Sequence, residues 1–314
     1  MKAIILAAGY GTRIRPLSNY VPKPLMPIVG QPLLRHIIMK LKACKADGIG
    51  INTHHNADMI KAFISCETSG VPVALSHEQV ILGSGGGIGG FRDFLQDADF
   101  FIVHNGDVLS NIALGPAIAH YAKDRPLCAL ILHDRPPHNN VIIDENNAIV
   151  DMRDVLKPGQ VFKRLAYTGI AIMDKRMVAY IPPGVSDIVD ILLKIIQQGK
   201  QQVQGIVIKD AAWEDIGTVK SYFEAHRAIL LNRTPLIEEI PGRGGSFYFG
   251  EGTVREDGTE LKGFVSAGRN CVLKKGCRME NCIIWDNVTI AEHAVFKNAI
   301  IGNGWVVDPY SLLS

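Results

Sequence analysis

A glycine-rich loop near the start of the chain is the first segment that could bind a phosphate. It runs from Leu6 to Leu17, and Gly9 and Gly11 stand just ahead of Arg13. Glycines let the backbone approach a ligand and turn its N–H groups toward phosphate oxygens, which an arginine can grip in a bidentate manner. The loop is not a dinucleotide fingerprint, since Ile14 replaces the third glycine, and it lacks the Gly-Lys-Ser/Thr of a P-loop. An ordinary glycine turn with solvated arginines is the alternative.

Lys23 is the second candidate group, and prolines hold its backbone. Pro22 and Pro24 flank it in a Pro-Lys-Pro-Leu-Met-Pro run that ends at Pro27. Each proline fixes its own φ angle and restricts the residue before it, so the lysine is presented on a stiff segment. A stiffly held ammonium group suits an anionic ligand, and a solvated surface lysine is the alternative.

The segment from Gly83 to Gly90 contains six glycines in eight residues. Neither a strand nor a helix interior tolerates that density, so we expect a loop that lies against a flat ligand where a helix over residues 88–95 begins. Gly85, Gly87 and Gly90 also match a dinucleotide-binding spacing, which would suit a nicotinamide-dependent oxidoreductase. No strand runs directly into the loop's first glycine, which argues against that interpretation.

Two aspartates are candidates for metal binding. Asp107 follows Asn105-Gly106 at the end of a predicted strand, and Asp215 stands more than a hundred residues later, between Trp213 and Thr218. Two carboxylates that converge on one cleft would suit Mg²⁺, which takes one or two of them together with substrate phosphates. The spacing does not show convergence, and a lone aspartate at a strand end is also a common turn former or helix cap.

Alternating strand and helix patterns must position these loops. Apolar patterning predicts strands over residues 3–8, 48–53, 71–76, 100–104 and 127–133, helices over residues 33–46, 58–66, 88–95, 188–198 and 220–232, and a hairpin at 145–147. This alternation predicts an α/β fold with a Rossmann-like, mixed and mostly parallel sheet and helices on both faces. Ligands of such sheets bind at the carboxyl ends of the strands, where the first glycine loop and Asp107 both fall.

The composition changes near Pro235, and we place a domain boundary there, between residues 1–235 and residues 236–314. Beyond it, glycines and short apolar triplets recur at close to six residues. A hexapeptide period predicts a short left-handed parallel β-helix domain. Cys271 and Cys277 lie six residues apart and are expected to stack on one face of that β-helix.

Charge and cysteine content exclude several classes of protein. The 314 residues include 33 Lys and Arg against 31 Asp and Glu, a formal net charge of +2, which is not the footprint of a nucleic-acid binder. None of the six cysteines forms a Cys-x-x-Cys pair, which is typical of buried thiols in a reducing cytosol rather than of a zinc site. The first apolar run is shorter than the roughly 7–15 residues of a signal-peptide core, and no segment reaches about 18 apolar residues. We therefore expect a cytoplasmic protein without a membrane or nucleic-acid partner.

Four motifs, in order, resemble those of sugar-1-phosphate nucleotidyltransferases. They are Leu-Ala-Ala-Gly-x-Gly-Thr-Arg-x-x-Pro-Leu from Leu6, Pro-Lys-Pro-Leu-Met-Pro from Pro22, Asn-Gly-Asp ending at Asp107, and Trp-x-Asp-Ile-Gly-Thr from Trp213. The likeness covers residues 1 to about 232. The C-terminal repeat is similar to the β-helix tail of mannose-1-phosphate guanylyltransferases, whereas residues 85–88 and 167–170 are more similar to uridylyltransferases that act on N-acetylmuramate 1-phosphate.

The resemblance implies a metal-dependent reaction in which a sugar 1-phosphate oxygen attacks the α-phosphate of an NTP and pyrophosphate leaves. It implies that Arg13 binds the leaving pyrophosphate and that Lys23 neutralises the charge of the reacting phosphates. Asp107 and Asp215 would hold Mg²⁺ or Mn²⁺. The nucleotide-binding residues that it implies are Leu6, Ala8, Gly9, Gly11, Thr12, Glu78, Gly83 and Gly106. The sugar-phosphate residues that it implies are Lys157, Thr168 and Gly169, although Leu156 stands where the family usually has a glutamate before the lysine.

Glu78 bears on the choice of base. Thymidylyl and uridylyl members of the family often place a glutamine five residues before the glycine that corresponds to Gly83. A carboxylate only accepts hydrogen bonds and guanine presents two donors side by side, so Glu78 favours guanine over uracil. The expected substrates are therefore GTP and mannose 1-phosphate, and we expect the tail to mediate homo-oligomerisation.

Other functions stay open at this point. One is a UTP-dependent transfer to glucose or N-acetyl amino sugar 1-phosphate, with a solvated Glu78 and with Gln79 reading the base. Another is a non-catalytic regulatory homologue that binds an NDP-sugar in the same pocket, although the presence of Arg13, Lys23 and both aspartates argues against it.

Overall fold

The computed structural model describes residues 1–158, 163–199, 202–231, 235–237, 243–307 and 312–313. In the N-terminal part the strands are β1 (Lys2–Leu6), β2 (Pro27–Ile28), β3 (Gln31–Pro32), β4 (Gly48–Thr53), β5 (Val73–His77), β6 (Phe100–Asn105), β7 (Val108–Ser110), β8 (Cys128–His133), β9 (Val141–Ile143), β10 (Ile149–Met152), β11 (Lys163–Asp174), β12 (Val203–Ile208) and β13 (Trp213–Asp215). The helices are α1 (Leu33–Ala43), α2 (Ala57–Ser65), α3 (Gly83–Gly89), α4 (Leu114–Asp124), α5 (Ile188–Gln197) and α6 (Val219–Leu230).

Within these residues, nine strands form one mixed sheet in the order β10-β9-β11-β6-β1-β4-β5, with β8 and β12 joined beside β11. The strands β6, β1, β4 and β5 are parallel, which confirms the α/β prediction at the centre of the sheet. The long strand β11 runs antiparallel to β6, β8 and β9, and its pairing with β8 shifts register between Tyr167 and Ala171. All six residues of β4 are buried, as expected for a central strand covered on both faces.

Side chains on the two faces of the sheet enter different cores. On β1, Ala3 and Ile5 belong to the core that includes α1 and α6, whereas Ile4 belongs to the core that includes α5. This division follows from the period of two along a strand, which sends successive side chains to opposite faces. The carboxyl ends of β1, β4 and β6 therefore open onto a rim between two layers of helices.

The glycine-rich segment corrects one prediction. The glycines themselves form α3, and turns rather than a helix follow it over residues 91–97. Backbone packing requires two of these glycines: a Cβ on Gly83 would lie 2.6 Å from Ser186 O, and one on Gly86 would overlap Gly184 O. The contacts of a short helix with its neighbours thus outweigh the low intrinsic helix propensity of glycine.

The C-terminal part is built from short parallel strands that stack coil on coil. They are β14 (Arg243–Gly244), β15 (Phe247–Phe249), β16 (Val254–Arg255), β17 (Glu260–Ala267), β18 (Val272–Leu273), β19 (Arg278–Ile284), β20 (Thr289–Ile290), β21 (Val295–Lys297), β22 (Ile300–Ile301), β23 (Val306–Val307) and β24 (Leu312–Leu313). They form two sheets in which all pairs except β14–β15 are parallel, consistent with the predicted β-helix. The hand of the β-helix and the boundary near residue 235 stay predictions.

The stacking of the two cysteines is the second correction. Residues that stack on one another lie eighteen or seventeen positions apart, as in Val254 with Val272 and Thr289 with Val306. A spacing of six therefore moves a residue to a different side of the coil. Cys271 precedes β18 in one sheet and Cys277 precedes β19 in the other, and both are fully buried free thiols in the core of the β-helix.

Helix α6 fastens the β-helix to the N-terminal sheet. The rings of Phe223 on α6 and Phe264 on β17 pack edge to face with centroids 5.1 Å apart. Trp285 of the β-helix belongs to the same core as the α1 and α6 side chains. Among the residues that the structure describes, no helix has the length and apolar character needed to cross a membrane.

Candidate active site

A cavity of about 330 Å³ opens at the carboxyl ends of β1, β4 and β6. Its walls are formed by Leu6, Ala7, Ala8, Gly9, Gly11, Thr12, Arg13, Lys23, Pro24, Asn52, Glu78, Ile81, Gly83, Ser84, Asn105, Gly106, Asp107 and Gly217. All eight residues that the sequence assigns to the nucleotide are therefore brought together. Their role toward a nucleotide stays a prediction.

The first glycine loop turns sharply as it leaves β1. Gly11 has a φ of 62°, and a Cβ there would lie 3.0 Å from the Cβ of Ser18, whose hydroxyl donates to Gly11 O at 2.8 Å. A Cβ on Gly9, in contrast, would meet no protein atom within 4 Å. The space beside Gly9 thus belongs to the cavity, and a glycine there leaves the backbone open to a ligand.

Strand pairing brings the two aspartates to one place. Asp107 directly precedes β7, and the antiparallel pairing of β7 with β13 sets Asp215 opposite Val108. The backbone N–H of Ile216 also donates to Asp107 O at 2.8 Å. Two carboxylates from distant parts of the sequence are therefore held side by side by a two-stranded ladder.

Two cations stand against this acidic pair. The buried ammonium of Lys23 donates to Asp107 Oδ2 at 2.6 Å and lies 3.9 Å from Asp215 Oδ1. Arg13 is more exposed, and its Nη2 lies 3.9 Å from Asp215 Oδ2. The cluster therefore carries two positive and two negative groups within a few ångströms.

Asp215 is the incompletely satisfied member of the cluster. Its Oδ1 is buried and accepts no hydrogen bond, since Lys23 Nζ is too distant. Burial and, next, the neighbouring Asp107 carboxylate raise the pKa of Asp215, whereas Lys23, Arg13 and His138 oppose that rise. A buried carboxylate oxygen without a donor is a group that a cation would stabilise.

The donor set fits a magnesium ion. In the described part of the chain no three His, Cys, Asp or Glu side chains cluster as a complete set of protein ligands. Two carboxylates with a free oxygen are what Mg²⁺ uses when substrate phosphates and water complete its octahedron. Asp107 and Asp215 are the residues that would hold it.

A second cavity, of about 390 Å³, adjoins the first. Its walls are formed by Arg13, Asn105, Asp107, Val108, Pro137, His138, Asn140, Met152, Arg153, Tyr167, Thr168, Gly169, Val189, Trp213 and Asp215. Three of these, Arg13, Asn105 and Asp107, also line the first cavity. The two spaces therefore meet at the charged cluster.

Thr168 and Gly169 lie in this second cavity, as the sequence predicts, but through their backbone. The hydroxyl of Thr168 donates to Ile131 O at 2.8 Å, and its carbonyl accepts the indole N–H of Trp213 at 2.7 Å. A Cβ on Gly169 would lie 2.8 Å from Asn105 Nδ2, so only glycine lets β11 pass this asparagine.

Lys157 is not among the residues that line either cavity. Its backbone N–H donates to the buried Asp151, whose carboxylate also accepts from Met152, Val155 and Leu156 and so shapes the turn. Sequence reasoning missed Arg153, which this turn places on the cavity wall with Nη2 3.4 Å from Asp187 Oδ2. The spacing of residues in the sequence carries no signal for that placement.

Glu78 is buried rather than solvated, so the alternative of a solvated side chain is wrong. It is 3% exposed, and its two oxygens accept from Asn52 Nδ2 at 2.7 Å and from the Leu82 N–H at 2.8 Å. Asn52, which sequence reasoning also missed, accepts the Ala7 N–H at 2.6 Å. The neighbouring Gln79 is exposed. A polar pair thus joins β1, β4 and the start of α3 at the wall of the first cavity.

Two family models match the chain. The model described as Nucleotidyl transferase matches residues 2–232, and the model described as GMPPB C-terminal domain matches residues 245–313. The first match alone spans more than half of the chain and includes both cavities.

Full-length relatives are similar at modest identity. A UTP–glucose-1-phosphate uridylyltransferase from Synechocystis sp. is 28% identical over 98% of this chain and 89% of its own length. A mannose-1-phosphate guanylyltransferase from Mycobacterium tuberculosis is 26% identical over 94% of this chain and 82% of its own. Mannose-1-phosphate guanylyltransferase 1 from Arabidopsis thaliana is 26% identical over 96% and 86%.

Solved structures share the fold of about seven tenths of the chain. A chain from Bacillus anthracis, described as a glucose-1-phosphate thymidylyltransferase in complex with a sucrose, has a TM-score of 0.62 and 26% identity over 72% of this chain and 93% of its own. HddC from Yersinia pseudotuberculosis has a TM-score of 0.60 and 22% identity over 71% and 97%. At that identity the second likeness bears on the fold alone.

Proposed function

Because the chain belongs to the nucleotidyl transferase family, as a sugar-1-phosphate nucleotidyltransferase, we propose that it converts GTP and mannose 1-phosphate to GDP-mannose and pyrophosphate, with Mg²⁺ or Mn²⁺ as cofactor. The observation that carries this proposal is the meeting of the two cavities at Arg13, Asn105 and Asp107. A nucleotide in the first cavity and a sugar phosphate in the second would face each other across the charged cluster.

The chain's own groups act mainly by position and charge. In the reaction an oxygen of the sugar 1-phosphate forms a bond to the α-phosphorus, and the bond from that phosphorus to pyrophosphate breaks. No covalent intermediate on the protein is needed, so catalysis comes from alignment and from charge neutralisation in a partly dry site. We assign the leaving pyrophosphate to Arg13 and the α-phosphate to Lys23, whose ammonium is already held inside the cavity by Asp107.

Asp107 and Asp215 are the groups that would hold the metal. When bound, Mg²⁺ would neutralise phosphate charge and favour the attack on phosphorus. The unsatisfied Oδ1 of Asp215 supports this assignment, because an ion would supply the partner that the protein lacks.

The base preference rests on Glu78 and on the named relatives. Each carboxylate oxygen can accept more than one hydrogen bond, so Glu78 keeps acceptor capacity after binding Asn52 and Leu82. That capacity matches the paired donors of guanine, and two of the relatives are named as guanylyltransferases.

For the acceptor, we propose that Arg153 binds the phosphate of the sugar 1-phosphate beside the backbone of Thr168 and Gly169. Its guanidinium lines the second cavity and pairs with the partly exposed Asp187, a partner that a phosphate could replace. The role that the resemblance gives to Lys157 stays a prediction that the same experiments can test.

We also propose a division of labour along the chain, with residues 1–235 as the catalytic domain and residues 236–314 as a β-helix domain that forms homo-oligomers. The two family models fall on either side of this boundary, which supports it. On the full chain, size-exclusion chromatography with light scattering, followed by cross-linking and mass spectrometry to locate the contacts, would test whether the protein assembles through the tail.

A second candidate is UTP-dependent transfer to glucose 1-phosphate. The observation that favours it is the relative named as a UTP–glucose-1-phosphate uridylyltransferase, which is 28% identical over nearly the whole chain. A buried Glu78 in the place of a glutamine argues for guanine instead.

Pyrophosphate release tests both candidates. GTP, UTP, dTTP, CTP and ATP would each be paired with mannose, glucose, N-acetylglucosamine and N-acetylmuramate 1-phosphates, with Mg²⁺, with Mn²⁺ and with EDTA. The highest kcat/KM for GTP with mannose 1-phosphate, lost in EDTA, is the expected result. A highest value for UTP would replace the guanylyl assignment. Binding of an NDP-sugar without turnover of any pair would point to the regulatory homologue.

A further inference from the structure

A chain of two hydrogen bonds, one buried and one partly buried, links the β-helix to the loop that carries Lys23. The indole N–H of Trp285 donates to the hydroxyl of Tyr222 at 2.9 Å, and that hydroxyl donates to Pro27 O at 2.6 Å. Trp285 and Tyr222 are 1% and 0% exposed. Burial raises the pKa of Tyr222, which keeps its hydroxyl protonated and able to donate. Water cannot easily replace the buried bond between the two side chains, so that bond is costly to break.

Helix α6 carries the middle of this chain and begins beside the charged cluster. Its N-cap, Thr218, stands three residues after Asp215, and Tyr222 follows within the next turn. One turn further, His226 Nδ1 lies 3.1 Å from Tyr222 O, and its Nε2 accepts the N–H of Val29 at 3.2 Å. One helix therefore touches both flanks of the candidate active site.

The loop that carries Lys23, residues 22–30, is short and stiff. Lys23 stands in a 3-10 turn that ends at Leu25, and Met26 after it is fully buried and hydrogen-bonded through its carbonyl to Leu33. Pro27 is four residues from Lys23, and Pro24 and Pro27 each fix their own φ in this segment. A displacement of the Pro27 carbonyl should therefore also displace the ammonium group of Lys23.

A second contact ties the same loop to the β-helix. Gly30 has a φ of 78°, and a Cβ there would overlap the hydroxyl of Tyr248, which is 7% exposed. The β-helix thus packs against the end of the loop through Tyr248. Through Trp285 and Tyr222 it is hydrogen-bonded to the centre of the loop.

We propose that the β-helix positions Lys23 for the reaction, with Trp285 and Tyr222 acting as positioning residues through the carbonyl of Pro27. The proposal rests on the role of Lys23 in the proposed function. Neither positioning residue lines either cavity, so neither touches substrate. The β-helix thereby contributes to turnover, and this contribution is separate from its proposed role in homo-oligomerisation.

Steady-state kinetics of Trp285→Phe, Tyr222→Phe and the double variant test the proposal. Tyr222→Phe should lower kcat about tenfold, with each KM changed less than about twofold, because orientation rather than affinity is lost. Trp285→Phe removes the indole N–H but keeps an aromatic ring at this position, and it should lower kcat about threefold. The double variant should match Tyr222→Phe, because the indole acts through the hydroxyl. Losses that multiply would contradict a single chain of bonds.

Phe264→Leu is the matched control. It weakens the same interface against Phe223 without touching a hydrogen bond to the loop. It should lower Tm at least as much as Tyr222→Phe does while kcat stays within about twofold of the wild type. An equal loss of kcat in Phe264→Leu would show that Tyr222→Phe lowers kcat only through a general loss of stability.

Hydrogen exchange separates a failure of this proposal from a failure of the proposed function. Without any substrate, Tyr222→Phe should raise deuterium uptake in peptides that cover residues 22–30, and Phe264→Leu should not. Unchanged uptake would overturn the positioning role even in an active enzyme. Raised uptake in a protein that turns over no pair would instead overturn the proposed reaction. Should Tyr222→Phe fail to fold, Trp285→Phe decides by the same two readouts.

Discussion

The ammonium of Lys23 donates to Asp107 Oδ2 at 2.6 Å although the two residues lie 84 positions apart. Lys23 is 8% exposed, so the lysine would be a costly buried charge without this carboxylate. The pair keeps a cation and a candidate metal ligand at the place where the two cavities meet. Each of the two charges compensates the other, so a substitution of either residue also changes the environment of its partner.

Lys23→Met should lower kcat about 100- to 1000-fold, as expected when a charge that stabilises a reacting phosphate is removed. The KM for the nucleotide should change much less, because the glycine loop and Arg13 remain. Pyrophosphate release at saturating substrates measures the effect. Lys42→Met, at an exposed lysine of α1, is the control and should leave kcat unchanged. A Lys23→Met enzyme within threefold of the wild type would remove the lysine from the mechanism.

Asp215→Asn should weaken metal binding and lower kcat at least about a hundredfold. The raised pKa of Asp215 adds a pH dependence. A proton competes with the metal for this carboxylate at a higher pH than it would for an ordinary aspartate, so the fall in Mn²⁺ affinity on acidification should begin above the usual pKa range of an aspartate. Mn²⁺ titration followed by electron paramagnetic resonance measures affinity without turnover.

Glu214→Gln is the matched control for the metal site. Glu214 is the neighbour of Asp215 in β13 but pairs with Arg135 and lines neither cavity. Its substitution should leave Mn²⁺ affinity and the pH profile unchanged. Equal Mn²⁺ affinities of wild type and Asp215→Asn would show that this carboxylate is not a ligand.

Much of the fold could be predicted because the signals are local. The apolar run of β1 and the helical period of α1 each act within one element, and both were confirmed. The glycines of α3 could not be assigned in this way. Their helix depends on contacts with the backbone of Gly184 and Ser186, which are distant in sequence, and those contacts outweigh glycine's intrinsic preference.

The site shows the same limit. The motifs name Lys23, Asp107 and Asp215, but only the pairing of β7 with β13 shows that the carboxylates meet. Arg153 reaches the second cavity because the buried Asp151 shapes its turn, and no periodicity or spacing encodes such a side-chain hydrogen bond. The spacing of the β-helix coils, seventeen or eighteen, likewise depends on a register shift between Lys262 and Val265.

Glu78→Gln should reduce the preference for GTP over UTP at least about tenfold in kcat/KM, since an amide can pair with uracil and cannot accept from both guanine donors. Competition between the two nucleotides at fixed sugar phosphate gives the ratio directly. Gln79→Glu is the control: Gln79 is exposed and outside both cavities, so the ratio should stay as in the wild type. An unchanged ratio in Glu78→Gln would exclude this carboxylate as the reader of the base.

Arg153→Ala should raise the KM for the sugar 1-phosphate about 10- to 100-fold, the loss expected for a charge-assisted hydrogen bond to phosphate. The KM for the nucleotide should be nearly unchanged, because Arg153 does not line the first cavity. Lys157→Ala should have the smaller effect of the two. Arg164→Ala, which removes an exposed partner of Asp154, serves as the control. A larger rise in this KM for Lys157→Ala would show that Lys157 binds the sugar phosphate, as the resemblance implies.

Three largely buried histidines should make the fold sensitive to acid. Burial lowers the pKa values of His36, His104 and His226 to about 4, against about 6.5 in an unfolded chain. Between these values the unfolded state binds one more proton per histidine, so the free energy of unfolding falls as the pH is lowered from 6.5 and levels off near 4. The slope is about 1.4 kcal/mol per pH unit for each histidine.

Urea unfolding at pH 7, 6 and 5 measures this loss, which the three histidines together should bring to about 4 kcal/mol per pH unit in the middle of the window. Carboxylates with lowered pKa values, such as Asp174, act only at more acidic pH and so do not explain it. His226→Gln should lower the slope by about a third, whereas His120→Gln, at an exposed position, should not change it. A slope that survives His226→Gln intact would mean that this histidine is protonated in the folded protein, and with that the hydrogen bond that it accepts from Val29 could not exist.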